Sequence, residues 1–109
     1  MKNVYLIDEG ILLEKDNPEF PDYSAYDNKY GYYDENQFYI SKKSKANRLA
    51  KKYVENGEEK TYAIVSKTSI DDTADINDCP VEGESYLLED VVYSVAKING
   101  VIVENFLNK

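Results

Sequence analysis

Histidine and tryptophan are absent from this chain of 109 residues, and cysteine occurs once, as Cys79. Without histidine, the protein has no imidazole for general-base catalysis and no histidine ligand for a metal ion. A single cysteine cannot form a disulfide bond within the chain, which favours the reducing environment of a cytoplasm. Acidic neighbours disfavour the thiolate form of Cys79, so we interpret this residue as structural rather than catalytic.

Glycine and long apolar runs are also scarce. The five glycines are dispersed, so the sequence contains no glycine-rich loop of the kind that binds phosphate groups. No apolar run approaches the roughly 18 residues of a membrane-spanning helix, and the first residues lack the apolar segment of a signal peptide. We therefore expect a cytoplasmic protein that needs no cofactor and no membrane, and we predict neither catalytic residues nor enzymatic activity.

Tyrosine and acidic residues are, by contrast, frequent. Eleven residues are tyrosine and the net charge is −8. Six of the tyrosines fall between residues 23 and 39, where acidic residues are interspersed. Tyrosine supplies a large, stiff contact area with a polar tip and is enriched at protein interfaces, and carboxylates attract basic partners. This composition is typical of a surface that binds another protein.

Charge is distributed unevenly along the chain. Nine acidic and three basic residues give residues 1–40 a net charge of −6, and residues 61–109 have the same balance. Residues 41–60 instead contain seven basic and three acidic residues, a net charge of +4. A broad surface for nucleic acid is not indicated, because phosphate groups require a positive footprint. The balance favours a basic protein as the partner, and direct nucleic-acid binding is not expected.

Two acidic stretches are therefore the candidate partner-binding surfaces. The first lies in a predicted long loop at residues 15–37, where the tyrosine rings have an alternative role as caps of the core. The second is a predicted acidic loop at residues 69–90. The predicted partner-binding residues are Asp22, Tyr23, Tyr26, Asp27, Tyr30, Tyr32, Tyr33, Asp34, Glu35, Asp71, Asp72, Asp75 and Asp78.

The second stretch also has a partial likeness to a calcium-binding loop. Positions 1, 3, 5, 7 and 12 of a twelve-residue loop would be Asp71, Thr73, Asp75, Asn77 and Glu82. Position 6 is Ile76 instead of the glycine that the sharp turn requires, and Pro80 interrupts the loop. We therefore predict no metal site and interpret these carboxylates as solvated or partner-binding.

The most regular helical pattern follows residue 43. Apolar residues recur there at spacings of three and four, as on one face of a helix: Ala46, Leu49, Ala50, Tyr53 and Val54. We predict a helix at about 43–56 that buries the three larger members of this face. Ser41 or Ser44 is the predicted cap at its start, and Asn56-Gly57 is the predicted stop.

Strand-like patterns flank this helix. Residues 3–14 contain two apolar runs around Asp8-Glu9-Gly10, which indicates either a hairpin or one bent strand. Residues 37–40 and residues 61–68 each indicate a further strand.

The carboxyl-terminal region predicts a hairpin. Val91–Ile98 and Val101–Leu107 flank Asn99-Gly100, a pair typical of a two-residue type I′ turn. In the resulting register Tyr93 would face Phe106, and this pair could form a face for a homodimer. The elements together predict a single α+β domain of residues 1–109, an antiparallel sheet with one main helix packed on it.

In size, acidity and tyrosine content the chain resembles small phage anti-defence proteins, anti-CRISPR proteins among them, and immunity proteins that block nuclease toxins. The resemblance includes no shared motif, so it assigns no residues. It implies an inhibitor whose carboxylates imitate nucleic-acid phosphates and bind a basic nuclease or CRISPR effector. The alternatives are an immunity protein against a nuclease toxin and a homodimeric adaptor of bacterial origin.

Overall fold

One antiparallel sheet and one helix account for the described part of the chain. The computed structural model describes residues 1–14, 30–76 and 88–107. The elements are β1 (Lys2–Glu14), β2 (Tyr30–Ile40), the helix α1 (Lys43–Glu55), β3 (Thr61–Ile70), a 3₁₀ turn (Leu88–Asp90), β4 (Val91–Ile98) and β5 (Val101–Glu104). The strand order is β2-β1-β3-β4-β5, so β2 and β5 are the outer strands of the described sheet. The predicted α+β class is confirmed.

A single long strand, β1, occupies the region of the two apolar runs around Asp8-Glu9-Gly10. It pairs with β2 on one side and with β3 on the other, so the single-strand interpretation is correct. Its neighbour β2 begins at Tyr30, inside the stretch predicted to be a loop. The loop prediction is therefore wrong for residues 30–36. Their turn-forming side chains favour a loop, but hydrogen bonds between the backbones of β2 and β1 override this local preference.

The irregularity in this pairing is a bulge in β2. Glu9 pairs with Asn36 and Gly10 with Asp34, which leaves Glu35 as the extra residue. A bulge bends the strand that contains it and redirects its side chains. Glycine is needed at position 10 because a Cβ atom there would collide with a backbone carbonyl oxygen of β2.

The helix α1 packs across one face of the sheet through small side chains. Ala46, Ala50 and Val54 are fully buried, and they contact a sheet surface formed by Ile7, Ala63, Val65, Tyr93 and Val95. Leu49 and Tyr53 are only half-buried, packed against the margin of this cluster, so the predicted burial is confirmed for Val54 and is partial for these two. The line of contact follows every fourth residue, which turns these two side chains toward one margin of the helix.

The helix begins differently from the prediction. Its N-cap is Lys42, whose side chain makes no capping hydrogen bond, so neither Ser41 nor Ser44 is the cap. The helix ends at Glu55, with Asn56 as its C-cap, close to the predicted end. No helix within the described residues is long and apolar enough to cross a membrane.

A second cluster of buried side chains lies on the sheet face opposite α1. Tyr62 is its largest fully buried member. The Tyr62 ring meets Tyr32 edge-on with centroids 5.3 Å apart, and Tyr32 lies 6.5 Å from Phe106. The other members are Leu12, Ile64, Ala96 and Leu107. Both faces of the sheet therefore contribute to the core, and this explains the apolar residues on both sides of β3 and β4.

The end of the described chain joins this second cluster instead of extending β5. That strand ends at Glu104, and Asn105 has a positive φ of 57°. The backbone N–H of Asn105 donates to the carbonyl oxygen of Ser94 at 2.5 Å. The N–H of Leu107 donates to the Ser94 hydroxyl at 3.2 Å. These bonds turn the chain across the face of the sheet.

The predicted pairing of Tyr93 with Phe106 is consequently wrong. Tyr93 lies on the α1 side of the sheet and Phe106 on the opposite side, since the strand that would have aligned them stops at Glu104. Their exposed fractions are 8% and 6%, so they offer no surface to a second copy of the chain.

The turn between β4 and β5 supports a prediction about stability. Asn99 and Gly100 have positive φ values of 55° and 74°, and the N–H groups of both donate to the carboxylate of Glu59. Gly100→Val should lower the free energy of unfolding by about 1–2 kcal/mol, because a β-branched residue resists this conformation. Urea unfolding measures the change, with Asn99→Gly as a control expected to behave like the wild type. An unchanged midpoint for Gly100→Val would contradict the prediction.

Candidate functional site

The predicted partner-binding residues are divided among several environments. Five of them lie outside the described residues: Asp22, Tyr23, Tyr26, Asp27 and Asp78. Tyr30 is the first residue of β2. Four others follow it along that strand, Tyr32, Tyr33, Asp34 and Glu35, and the last three belong to the turn after β3, namely Asp71, Asp72 and Asp75.

The two acidic stretches lie on separate parts of the molecule. Ile70, which precedes the second stretch, pairs with Lys2 at the start of β1. Asp34 of the first stretch pairs with Gly10, eight residues farther along the same strand. At the rise of a β-strand, these positions are roughly 25 Å apart. That separation exceeds the Debye length of about 8 Å at physiological salt, so the stretches act as two surfaces.

The turn after β3 uses its carboxylates for local contacts. Asp71 accepts hydrogen bonds from the backbone N–H and the hydroxyl of Thr73, at 2.8 and 2.7 Å, and these bonds lower the pKa of Asp71. Asp72 forms an exposed ion pair with the amino group of Met1 at 3.2 Å. Among the residues that the structure describes, no group of three carboxylate or thiol side chains could hold a metal ion.

The outer strand β2 presents the other acidic stretch. Tyr33 is 51% exposed, and Asp34, Glu35 and Asn36 are also exposed. Tyr32 is only 3% exposed and belongs to the second core cluster, which corrects the expectation that its side chain faces a partner. The core-cap alternative is the correct one for this tyrosine.

Asp34 is exposed to solvent, but its side chain is hydrogen-bonded to a residue of the core. Its carboxylate accepts a hydrogen bond from the buried hydroxyl of Tyr62. Burial raises the pKa of Asp34, and the hydrogen bond from Tyr62 opposes this effect. The exposed residues of β2 that remain free to meet a partner without this internal role are therefore Tyr33, Glu35 and Asn36.

A pocket of about 720 Å³ opens between this strand and the end of α1. Glu9 and Ile11 enter it from β1, and Glu35 and Phe38 enter it from β2. The helix and the residues after it contribute the remaining lining, which includes Leu49, Lys52, Tyr53, Asn56, Glu58 and Thr61. The pocket thus combines apolar and aromatic walls with three carboxylates and one ammonium group.

Glu9 is the most unusual residue of this pocket. It is 7% exposed, and no described residue forms a hydrogen bond or an ion pair with its carboxylate. Burial raises the pKa of Glu9 to about 7. Burial also raises the pKa of the neighbouring Tyr53, and the charges of Glu9 and Glu35 add to this effect. At neutral pH the pocket therefore contains a poorly solvated, partly ionised carboxylate.

Sequence reasoning missed Glu9 because it placed the residue in a turn. The available signal was that Tyr5, Ile7 and Ile11 are apolar and occur at every second position, with Glu9 at the position between Ile7 and Ile11. Residues at every second position of a strand share a face. Extending the first apolar run without a turn would have put a carboxylate on a buried face.

The outer side of α1 has the opposite charge. Lys42, Lys43, Lys45 and Arg48 are exposed there, and the ammonium group of Lys51 lies 3.6 Å from the carboxylate of Glu104. These cations occupy the solvent side of the helix. Lys52 instead lines the pocket that contains Glu9, but these two residues form no ion pair. The helix and the outer strand thus present separate basic and acidic surfaces.

Comparisons with protein-family models, with curated protein sequences and with solved structures give no match to this chain. Function is therefore inferred from the pocket, the outer strand and the charges that they carry. Within the described part of the chain, the pocket combines burial, a carboxylate without a described partner and a concave shape, and such sites are the usual candidates for binding.

Proposed function

We propose that this protein is a small acidic interaction module that binds and inhibits a basic, nucleic-acid-handling protein. The observation that carries the proposal is the pocket with the buried carboxylate of Glu9, which is paired with no residue that the structure describes, beside the exposed residues Tyr33 and Glu35 of β2. An exposed aromatic ring beside carboxylates combines contact area with attraction for positive charge.

Inhibition follows from competition for the same positive groups. Duplex nucleic acid carries about one negative charge per 1.7 Å of its axis, and a protein that binds it lines its groove with lysine and arginine. Surface carboxylates of an inhibitor bind the same side chains and exclude the nucleic acid. A phage anti-defence protein directed against a CRISPR effector and an immunity protein directed against a nuclease toxin would both use this chemistry.

A charge reversal tests the proposal. The immobilised protein would capture partners from a bacterial lysate, and a basic protein eluted by salt would then be purified. Glu35→Lys should slow association with that protein about 3- to 10-fold, because the electrostatic attraction that brings the two proteins together depends on the charge near the contact. Asp72→Lys has the same charge change on the distant turn and should alter the rate less than 2-fold, given the screening of remote charges.

Inhibition itself is measured by nucleic-acid binding of the purified partner. Wild-type protein should displace the nucleic acid, and Glu35→Lys should need a higher concentration to do so. A partner whose association is insensitive to salt and to Glu35→Lys would refute the proposal. Self-association as the sole interaction would favour the homodimeric adaptor instead.

A further inference from the structure

We propose that the pocket between β2 and α1 is a preformed binding site for one cationic side chain, a lysine or an arginine of the partner protein. The charged group would meet the carboxylate of Glu9, and the apolar stem would lie along the pocket walls. This inference rests on the proposed function and names the group that the partner supplies.

The first argument for a cation is that the carboxylate of Glu9 is buried without a described partner. Buried carboxylates in folded proteins are normally paired or hydrogen-bonded, because an isolated buried charge is costly. Glu9 is more than nine-tenths buried, lines the pocket and is bonded to no described residue. A cation that enters the pocket supplies the missing partner.

The walls of the pocket indicate a cation with an apolar stem. Ile11, Phe38, Leu49 and Tyr53 surround the approach to Glu9. Lysine and arginine bury their methylene stems along such surfaces while the charged end meets a polar group. The rings of Phe38 and Tyr53 add attraction for a positive charge. The volume of about 720 Å³ is within the range of pockets that enclose a complete ligand group.

Other ligand classes fit this pocket less well. The three carboxylates of the lining, Glu9, Glu35 and Glu58, outnumber its one ammonium group, that of Lys52, so the pocket disfavours an anion. Calcium and magnesium require six or more oxygen ligands, whereas the walls here are largely apolar, and no group of three ligating side chains converges among the described residues. The pocket is therefore matched to an organic cation.

Binding of the cation should be coupled to pH. The charged and titratable groups that face Glu9 are Glu35 of β2, Lys52 and Tyr53 of α1, and Glu58 beyond the helix. Burial raises the pKa of Glu9 to about 7, so this carboxylate is largely protonated at pH 5.5. A cation stabilises the ionised form and displaces the proton, which makes binding tighter at pH 8 than at pH 5.5.

The test uses two small probes and nuclear magnetic resonance titration. N-acetyl-lysine methylamide should shift the amide signals of Glu9, Phe38 and Tyr53 at pH 8. N-acetyl-norleucine methylamide has the stem without the charge and should bind at least about 10-fold more weakly, as expected for loss of a charged contact in a poorly solvated site. The lysine probe should also weaken by about 10-fold or more at pH 5.5.

A matched pair of variants locates the effect. Glu9→Gln should weaken the lysine probe by about 10-fold and remove its pH dependence, whereas Glu89→Gln, at an exposed carboxylate of the 3₁₀ turn, should leave both unchanged. Glu9→Gln removes an unfavourable buried charge, so failure to fold is not its expected outcome. Equal binding of the lysine probe to wild type and Glu9→Gln, or equal binding of the two probes, would overturn the inference.

Partner binding separates this inference from the proposed function. If the lysine probe does not bind but Glu35→Lys still slows association with the partner, the inference fails and the proposed function stands. If the probe binds as expected while the partner ignores Glu35→Lys, the proposed function fails. If the partner binds Glu9→Gln as tightly as wild type although the probe distinguishes them, the pocket serves a free amine, and its assignment to a partner side chain is overturned.

Discussion

Tyr62→Ala should lower the free energy of unfolding by about 3–5 kcal/mol, the usual effect of truncating a buried aromatic residue. Tyr62 is fully buried on the face opposite α1. Its ring meets Tyr32 edge-on, and its hydroxyl donates to the carboxylate of Asp34. The substitution would leave a cavity near the start of β3 and remove the bond that joins Asp34 of β2 to the core.

Two further variants separate the contributions of the ring and the hydroxyl. Tyr62→Phe keeps the ring and should cost about 1–3 kcal/mol, because Asp34 loses its buried donor. Tyr33→Ala, on the exposed side of β2, should change stability by less than about 0.5 kcal/mol. Urea unfolding at pH 7 measures all three. Equal midpoints for Tyr62→Ala and Tyr33→Ala would show that the second cluster is not part of the core.

Glu9→Gln should have the opposite effect and stabilise the protein at pH 8. The pKa of Glu9 is raised from 4.5 to about 7 in the folded state, so the folded protein holds this proton more tightly than the unfolded chain. Stability therefore falls as the pH rises from about 4.5 to 7 and stays low above that range. A pKa that differs by one between the folded and unfolded states corresponds to about 1.4 kcal/mol. Because the pocket opens to solvent, we expect a gain on the order of 1–3 kcal/mol.

The pH dependence identifies the cause of this gain. Wild type and Glu9→Gln should have equal stability near pH 4.5 and diverge as the pH rises. Glu59→Gln is the control with the opposite sign, since hydrogen bonds from the N–H groups of Gly100 and Asn99 lower the pKa of Glu59. That variant should lose stability at pH 8 relative to wild type. Parallel pH profiles for wild type and Glu9→Gln would show that Glu9 is well solvated.

A carboxylate that lowers stability at neutral pH fits the function proposed for the pocket. Residues that bind partners are often retained at the expense of stability, because selection acts on function above a stability threshold. The cation expected at Glu9 would recover the lost free energy only in the complex. The stability experiment and the probe titration therefore examine the same residue by independent measurements.

Local signals were sufficient for the helix and much of the sheet. The spacing of apolar residues from Ala46 to Val54 predicted α1 to within one residue at its end. Alternation and β-branched residues predicted β3 and β4, and Asn99-Gly100 marked a turn in which both residues have positive φ. These features depend on residues that are close together in sequence, so a single sequence contains the necessary information.

Other features of the core were outside the reach of local patterns. The alternation in β4 and β5 did not predict that Asn105 would turn the chain and place Phe106 on the face opposite Tyr93. Likewise, Tyr32 and Tyr33 are adjacent tyrosines, yet Tyr32 is buried and Tyr33 is exposed. Which side of a strand is buried depends on the elements that pack on it, not on the residue itself.

The sequence by itself determined an acidic α+β protein with one amphipathic helix, and it indicated a protein partner from charge and tyrosine content. Only the tertiary structure decided where the site lies. It separated the two acidic stretches by the length of β1, and it brought Glu9 and Glu35 together with Tyr53 from elements distant in sequence. The physical reason is that desolvation of a carboxylate depends on everything packed around it, whereas sequence periodicity describes one element at a time.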